Sequence, residues 1–104
     1  MNLTELENKT KIISLSTGAK NIELTGEISQ IGNIRDVSTR YGPSKVVDAT
    51  IEDETGQITL VVWGDLTEKI RQGNKIKVTK SYVSEWNGKL QLNVGRFGKL
   101  LILN

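Results

Sequence analysis

The aromatic residues of this sequence occupy positions that do not suit a hydrophobic core. In the segment 57–63 the apolar residues Ile58, Leu60 and Val62 alternate with their neighbours, as in a strand with one buried face. Trp63 then lies on the opposite, solvent-facing side, where a large apolar ring is unusual unless it has a function. Alternatively, the strand ends at Val62 and the indole folds over the end of the sheet. An outward ring would offer a flat surface on which planar ligands can stack.

A charged residue indicates where two further rings point. Ile76 and Val78 alternate as core residues, but Lys80 is next in phase and an unpaired ammonium group cannot lie in a core. We therefore expect the alternation to slip by one residue near Lys80, through a β-bulge. After the slip, Tyr82 and Trp86 face outward on the same side as Trp63. Without it, Tyr82 would be packed inside with its hydroxyl at the rim.

Polar side chains accompany the rings. Lys89, Gln91 and Asn93 alternate on the outer side of the segment after Trp86. Unpaired bases stack on exposed rings with about 1–3 kcal/mol each, almost independently of sequence. Cations near the rings could neutralise phosphates, although each cation taken alone also fits an ordinary solvated surface. The candidates are Arg35, Arg40, Lys45 and Lys89.

The composition argues against most catalytic chemistry. The 104 residues include no His and no Cys, which removes the usual ligands for zinc, haem and iron–sulfur clusters and the commonest general base. Four neighbouring acids, Asp48, Glu52, Asp53 and Glu54, could suggest a metal site, but three of them lead into a tight turn and are simpler to interpret as a solvated hairpin. We expect a non-enzymatic protein with no cofactor and no metal.

Charge is distributed unevenly along the chain. Residues 1–64 hold 6 basic and 9 acidic side chains, whereas residues 65–104 hold 8 basic and 3 acidic ones. Such asymmetry favours an anionic partner weakly. No apolar run approaches the ~20 residues that span a bilayer, and the acidic start Met1–Glu7 does not resemble a secretory signal. We expect a soluble protein that is cytoplasmic and nucleoid-associated, or nuclear if eukaryotic.

The predicted elements have the order strand, loop, strand, turn, strand, helix, strand, turn, strand. The helix is expected to begin at Asp65 with a capping box to Glu68, and Asn87-Gly88 is a strong hairpin signal. Five strands with one helix between the third and fourth are the layout of the OB-fold, an all-β Greek-key barrel. The alternation predicts a first strand from about residue 20, with Ile22, Leu24 and Ile28 on one face, and then a bulge or coil near residues 29–32. The other predicted segments are a loop over 36–44, strands over 45–52 and 57–63 joined by the turn 53–56, and strands from 75 and from 89, completed by 100–103.

The whole chain, 1–104, is predicted to be a single domain with its barrel at about 20–104. Thr4-Glu5-Leu6-Glu7 is a possible second capping box that would open a short N-terminal helical segment. Ile12 and Leu15 follow it, and we expect them to plug one end of the barrel.

Three segments resemble the simple single-stranded DNA-binding proteins, a family that includes archaeal single-domain proteins and the DNA-binding member of the eukaryotic SOSS complex, relatives of replication protein A. Residues 52–64, EDETGQITLVVWG, resemble the family's D-E-T-G-x-(strand)-W-G core. Residues 81–93, SYVSEWNGKLQLN, resemble its hairpin between the fourth and fifth strands. Residues 95–98, GRFG, are similar to the Gly-Arg-x-Gly that follows. The likeness runs from about Ile12 to the C-terminus.

The resemblance implies binding of single-stranded DNA in replication, repair or recombination, with bases stacked on Trp63, Tyr82 and Trp86. It places basic contacts of the loop between the first two strands on Arg35 and Arg40, and implies other replication and repair proteins as partners. The loop tip Tyr41-Gly42-Pro43 departs from the family's Asn-Gly or Asp-Gly, so Tyr41 is either a fourth stacking ring or a local packing residue. Two other functions stay open: an RNA- or tRNA-binding OB module, and an OB domain for protein–protein assembly.

Overall fold

The computed structural model describes residues 10–104, except for the side chains of residues 95–97. The elements follow one another as a 3-10 turn (Ile12–Ser14), β1 (Ile22–Ile31), β2 (Arg35–Thr39), β3 (Gly42–Asp53), β4 (Gly56–Trp63), α1 (Leu66–Lys69), β5 (Lys75–Trp86) and β6 (Lys89–Ile102). The predicted helical segment at Thr4–Glu7 lies outside the described residues. In the part that the structure describes, no helix is long and apolar enough to cross a membrane.

Five of the strands close into a barrel. The sheet order is β1-β5-β6-β4-β3-β2, and an additional pairing of β1 with β3 completes the ring. All pairs are antiparallel except β4 with β6, which run parallel over residues 59–61 and 91–93. The predicted OB-fold, with its five-stranded barrel and one short helix between the strands β4 and β5, is confirmed.

The barrel can close because β1 bends around it. A side chain at Gly26 would place its Cβ 2.8 Å from the carbonyl oxygen of Glu52, which is closer than a Cβ can come, so glycine is required where β1 crosses β3. The pairing of these strands also shifts register between Ile28 and Gln30. The shift falls at Ser29, within residues 29–32, where the sequence predicts a bulge or coil.

The alternating apolar residues fill the barrel. The inward faces of β3 and β4 carry Val47, Ala49 and Ile51 and then Ile58, Leu60 and Val62, all buried. Removing this apolar surface from water stabilises the fold at about 25 cal/mol per Å². Ile12, the first residue of the 3-10 turn, and Leu15, just after it, belong to the same buried cluster. They were predicted to plug one end of the barrel, and their burial against the barrel residues is confirmed.

The segment 36–44, predicted as an exposed loop, instead forms most of a β-hairpin. β2 pairs with the first residues of β3, from Arg35 opposite Val46 to Thr39 opposite Gly42. Gly42 has φ +108°, a left-handed conformation that a tight two-residue connection demands. Most of the hairpin extends beyond the barrel ring, so its residues are polar without the apolar alternation that marks a barrel strand. That composition is why the pattern predicted a loop.

The expected capping box is absent from α1. The backbone of Asp65 is already helical and its side chain makes no cap hydrogen bond. The Thr67 hydroxyl donates to the Gly64 carbonyl at 2.7 Å instead, and Glu68 forms an ion pair with Lys45. The helix is a single turn of four residues, held by the burial of Thr67 and of Ile70 just after it.

Candidate nucleic-acid interface

Trp63 ends β4 on the outer side of the barrel. Its neighbour Val62 is buried inside, whereas the indole is 47% exposed. Its direct partner on β3 is Val46, which also faces outward yet is only 3% exposed. The ring therefore lies on the outer surface of the sheet beside an apolar neighbour that is buried by the protein itself.

The bulge in β5 turns Tyr82 outward as predicted. The pairing of β5 with β6 shifts between Thr79 and Ser81, and Lys80 between them has φ +51°. Ser81 is fully buried in the inward position and its hydroxyl donates to the Ile22 carbonyl at 2.8 Å. The polar residue that replaces Lys80 in the core thus has its hydrogen-bond partner, and Tyr82 is 45% exposed on the outer side.

Trp86 lies at the tip of the next hairpin. It ends β5 opposite Lys89 and is 64% exposed. Asn87 and Gly88 form the two-residue connection, both with positive φ, as the Asn-Gly signal predicts. Since Trp86 is four positions after Tyr82 on the same face of β5, their α-carbons are about 13 Å apart.

The rings lie on a continuous outer surface that is formed by four strands. Tyr82 pairs with Asn93 of β6, Asn93 with Val61 of β4, and Val61 with Asp48 of β3. With about 4.8 Å between neighbouring strands, Tyr82 lies about 10 Å from the β4 strand that carries Trp63. The next row towards Trp86 is hydroxyl- and amide-rich and consists of Ser84, Gln91, Thr59 and Thr50.

An apolar floor beside Trp63, formed by Val46 and Val61, was not predicted. Val61 shares the outer side of β4 with Trp63 but is only 8% exposed, and Val46 is less exposed still. Both face outward, so neighbouring side chains must cover them. The sequence does contain a signal for this burial, because a strand that is buried on both faces loses the alternation of apolar and polar residues. The signal is the two continuous apolar runs Val46-Val47 and Leu60–Trp63.

Two of the polar candidates on the outer surface already have partners in the protein. Asn93 donates from Nδ2 to the Ser84 hydroxyl at 2.9 Å. Arg35 faces outward opposite Val46, with one guanidinium nitrogen 3.4 Å from both carboxylate oxygens of Asp48. Lys89 is exposed beside Trp86 and Gln91 is partly buried.

The hairpin tip carries two further candidates. Arg40 and Tyr41 form the connection between β2 and β3, and the Tyr41 ring is 89% exposed. The Thr39 hydroxyl accepts from the Tyr41 N–H at 3.2 Å and donates to the Gly42 carbonyl at 2.7 Å. The backbone of the tip is therefore held, whereas its ring has almost no protein surface against it.

Lys45 is not brought to the rings. It has the opposite orientation to Val46, faces α1, and forms an ion pair with Glu68. The hydrogen bond to the Glu68 carboxylate is the main reason that the pKa of Lys45 is raised and that of Glu68 lowered. The structure thus separates this residue from the other candidate phosphate contacts. The partner is 23 residues away in sequence, beyond the reach of a local pattern.

The acidic turn before β4 serves the fold. Burial raises the pKa of Asp53, but hydrogen bonds outweigh it and the net shift is downward. One carboxylate oxygen accepts from the Thr55 hydroxyl and from the N–H groups of Thr55 and Gly56, and the other accepts from the Ile12 N–H at 2.9 Å. Among the described residues, no group of three or more acidic side chains could hold a metal ion.

Comparisons with known proteins agree with this architecture. A family model described as an OB-fold nucleic acid binding domain matches residues 22–100. The single-stranded DNA binding protein Ssb of Saccharolobus solfataricus is 26% identical over 90 residues, which cover 86% of this chain and 61% of that relative. The chain thus spans about three-fifths of the length of this curated relative.

Two solved structures superimpose closely. The OB domain of a Thermoplasma acidophilum protein gives a TM-score of 0.79 at 22% identity, covering 92% of this chain and 87% of that one. The replication factor A related protein of Methanobacterium thermoautotrophicum gives a TM-score of 0.77 at 25% identity, covering 92% and 91%.

Proposed function

The chain belongs to the OB-fold nucleic acid binding domain family, and from this premise we propose that it binds single-stranded DNA with little sequence preference. Bases stack on Trp63, Tyr82 and Trp86. The observation that carries the proposal is the exposure of these three large rings on the outer surface, at 47%, 45% and 64%. Every base has a π-face, so stacking of this kind tolerates any sequence.

The floor of the surface supports this role. Val46 and Val61 are buried even without a ligand. Trp63 therefore lies beside fixed apolar neighbours rather than on a mobile loop. A ring whose position is set before binding loses less conformational freedom when a base stacks on it. Trp63 and Tyr82 are therefore the principal stacking residues, and Trp86, more exposed at a hairpin tip, contributes less.

Phosphate neutralisation falls to the cations that border the same surface. Arg35, Arg40 and Lys89 fill this role in the proposal, and Gln91 and Asn93 offer amides to base edges. Lys45 is left out because it faces α1 and is paired with Glu68. Tyr41 is a peripheral fourth ring. Contacts with phosphates make binding weaken with salt, with a slope of log K against log[salt] of about −0.7 per neutralised phosphate.

In the cell, this activity fits protection or presentation of single strands during replication, repair or recombination. The protein would act without catalysing a reaction, in the compartment that holds the DNA, and alongside other replication and repair proteins. The relative named a single-stranded DNA binding protein supports the substrate class.

The proposal is tested by fluorescence anisotropy of labelled oligo-dT at several salt concentrations. We expect saturable binding that weakens as salt rises, and competition by unlabelled DNA of any base composition. The absence of binding at micromolar protein in low salt would contradict it. Matched oligo-U as competitor decides between DNA and RNA, since only the 2′-OH and the C5-methyl group differ. A clear preference for oligo-U would reassign the surface to RNA.

Assembly is a second candidate because Leu101, Ile102 and Leu103 are exposed at the end of the chain. Gel filtration with multi-angle light scattering, with and without oligo-dT, separates the two functions. A monomer that shifts only when DNA is added supports DNA binding. A stable oligomer that ignores DNA supports assembly.

A further inference from the structure

A cavity lies beside Tyr82, on the side away from β6. The segment before β1 runs along β5 here: the Gly18 N–H donates to the Val83 carbonyl at 3.0 Å, and the Val83 N–H donates to the Ala19 carbonyl at 2.9 Å. Together with the β5 bulge, this segment borders an open cavity of about 320 Å³, lined by residues 18–21 and 80–83. That volume is at the lower end of the range for small-ligand sites, roughly 300–1,000 Å³.

Two cations line this cavity without a partner. Lys20 and Lys80 are both exposed, and neither takes part in an ion pair among the described side chains. The acids on the flanking segments are engaged elsewhere. Glu85 accepts from the Thr17 hydroxyl at 3.1 Å, and Glu23 lies 3.6 Å from the amine of Lys77. The cavity therefore presents two positive charges beside an exposed ring.

The backbone at Lys80 adds a second observation. Its φ of +51° lies in the left-handed region, which costs a residue with a Cβ about 1 kcal/mol or more. Asn21, across the cavity, has φ +54°, but asparagine adopts this conformation readily. A glycine at position 80 would make the same bulge without strain. Lysine at this position places a long cationic side chain at the mouth of the cavity in spite of the strained backbone conformation.

We propose that Lys20 and Lys80 form a phosphate-binding subsite for the nucleotide whose base stacks on Tyr82, an inference that rests on the proposed function. The base stacks on the outward ring of Tyr82. The phosphodiester oxygens of the same nucleotide accept hydrogen bonds from the two ammonium groups at the cavity. The bound strand then crosses β5 towards β1, beyond the surface bordered by Arg35 and Lys89. Position and charge assign this subsite to the backbone of the strand and not to its bases.

Three single substitutions test the subsite. Lys80→Gly removes the charge and suits the left-handed backbone, so its melting temperature should equal or exceed that of the parent protein. Lys20→Gln removes the other charge. Lys75→Gln is the matched control, because it removes one exposed lysine from the same strand, β5, about 17 Å from Lys80.

The readout is the dissociation constant for oligo-dT across a salt series. We expect Lys80→Gly and Lys20→Gln each to weaken binding about 3- to 10-fold at low salt and to reduce the salt slope by about 0.7. The Lys75→Gln slope should be unchanged. Equal slopes in all three variants and the parent, or an equal loss in the control, would overturn the subsite while leaving DNA binding intact. A parent protein that fails to bind oligo-dT would overturn the proposed function itself.

Discussion

In the turn before β4 the carboxylate of Asp53 is surrounded by donors of its own chain, whereas at the end of β4 the Trp63 indole has almost half of its surface in solvent. Both residues belong to the segment that carries the family resemblance. The two residues therefore have different roles. A group whose hydrogen bonds are satisfied inside the molecule maintains the fold, whereas an exposed ring beside a buried apolar floor is available to a ligand. Substitutions at the two ends should therefore affect different measurements.

The largest expected effect is on binding, at Trp63. Trp63→Ala removes one stacking surface and should weaken oligo-dT binding by about 1–3 kcal/mol, or roughly 5- to 150-fold. Trp63→Phe keeps a ring and should recover much of the loss. The free energy of unfolding should fall by no more than about 1–2 kcal/mol, since the ring is only half buried. Anisotropy titration and urea denaturation measure the two quantities, and unchanged affinity in Trp63→Ala would break the comparison.

The next effect is on stability, at Asp53. Asp53→Ala leaves the Ile12, Thr55 and Gly56 N–H groups without their acceptor and should lower the free energy of unfolding by about 1–2 kcal/mol. DNA affinity should stay within about twofold of the parent value. Glu54→Gln is the control, because Glu54 is an exposed acid of the same turn that forms an ion pair with Lys11. A large loss of DNA affinity in folded Asp53→Ala would place the turn in the binding site.

The same substitution carries a pH signature. Because the pKa of Asp53 is lower in the folded protein than in the unfolded chain, its stabilisation is fully present above the unfolded pKa and is lost as pH falls through the folded value. The stability difference between the parent protein and Asp53→Ala should be constant from about pH 7 to pH 5 and shrink below about pH 4. Urea denaturation across that range and at lower pH measures it, and a difference that grows on acidification contradicts the hydrogen-bonding account.

A smaller effect is expected at Asp48, the carboxylate that faces the proposed DNA surface. Asp48→Asn removes a negative charge and releases Arg35, so oligo-dT should bind about two- to fivefold more tightly at low salt. Glu27→Gln, a carboxylate on β1, is the charge-matched control and should change affinity less. Weaker binding by Asp48→Asn would mean that the ion pair positions Arg35 for its phosphate.

The smallest effect is expected at the hairpin tip. Tyr41→Ala should weaken binding less than about threefold, because a ring that is 89% exposed must be ordered when a base stacks on it. The same anisotropy titration measures it. A loss as large as that of Trp63→Ala would show that a ring needs no floor to act as a principal stacking site.

Local patterns predicted most of the barrel and the direction of its rings. The conflict at Lys80 predicted the bulge, because a lysine in phase with Ile76 and Val78 has no allowed place inside. The β2–β3 hairpin was missed because most of it extends beyond the ring and lacks apolar alternation. The pairing of Lys45 with Glu68 and the parallel contact of β4 with β6 were not predicted, since both depend on how distant segments meet.

The most direct test of the central claim is the intrinsic fluorescence of the parent protein during titration with oligo-dT. Both tryptophans of the chain, Trp63 and Trp86, lie on the proposed DNA surface. We predict strong quenching that saturates at the same concentration as the anisotropy signal, with about half the amplitude lost in Trp63→Phe. An unchanged tryptophan spectrum at saturating DNA would contradict the account, because the strand would then bind where neither indole meets a base.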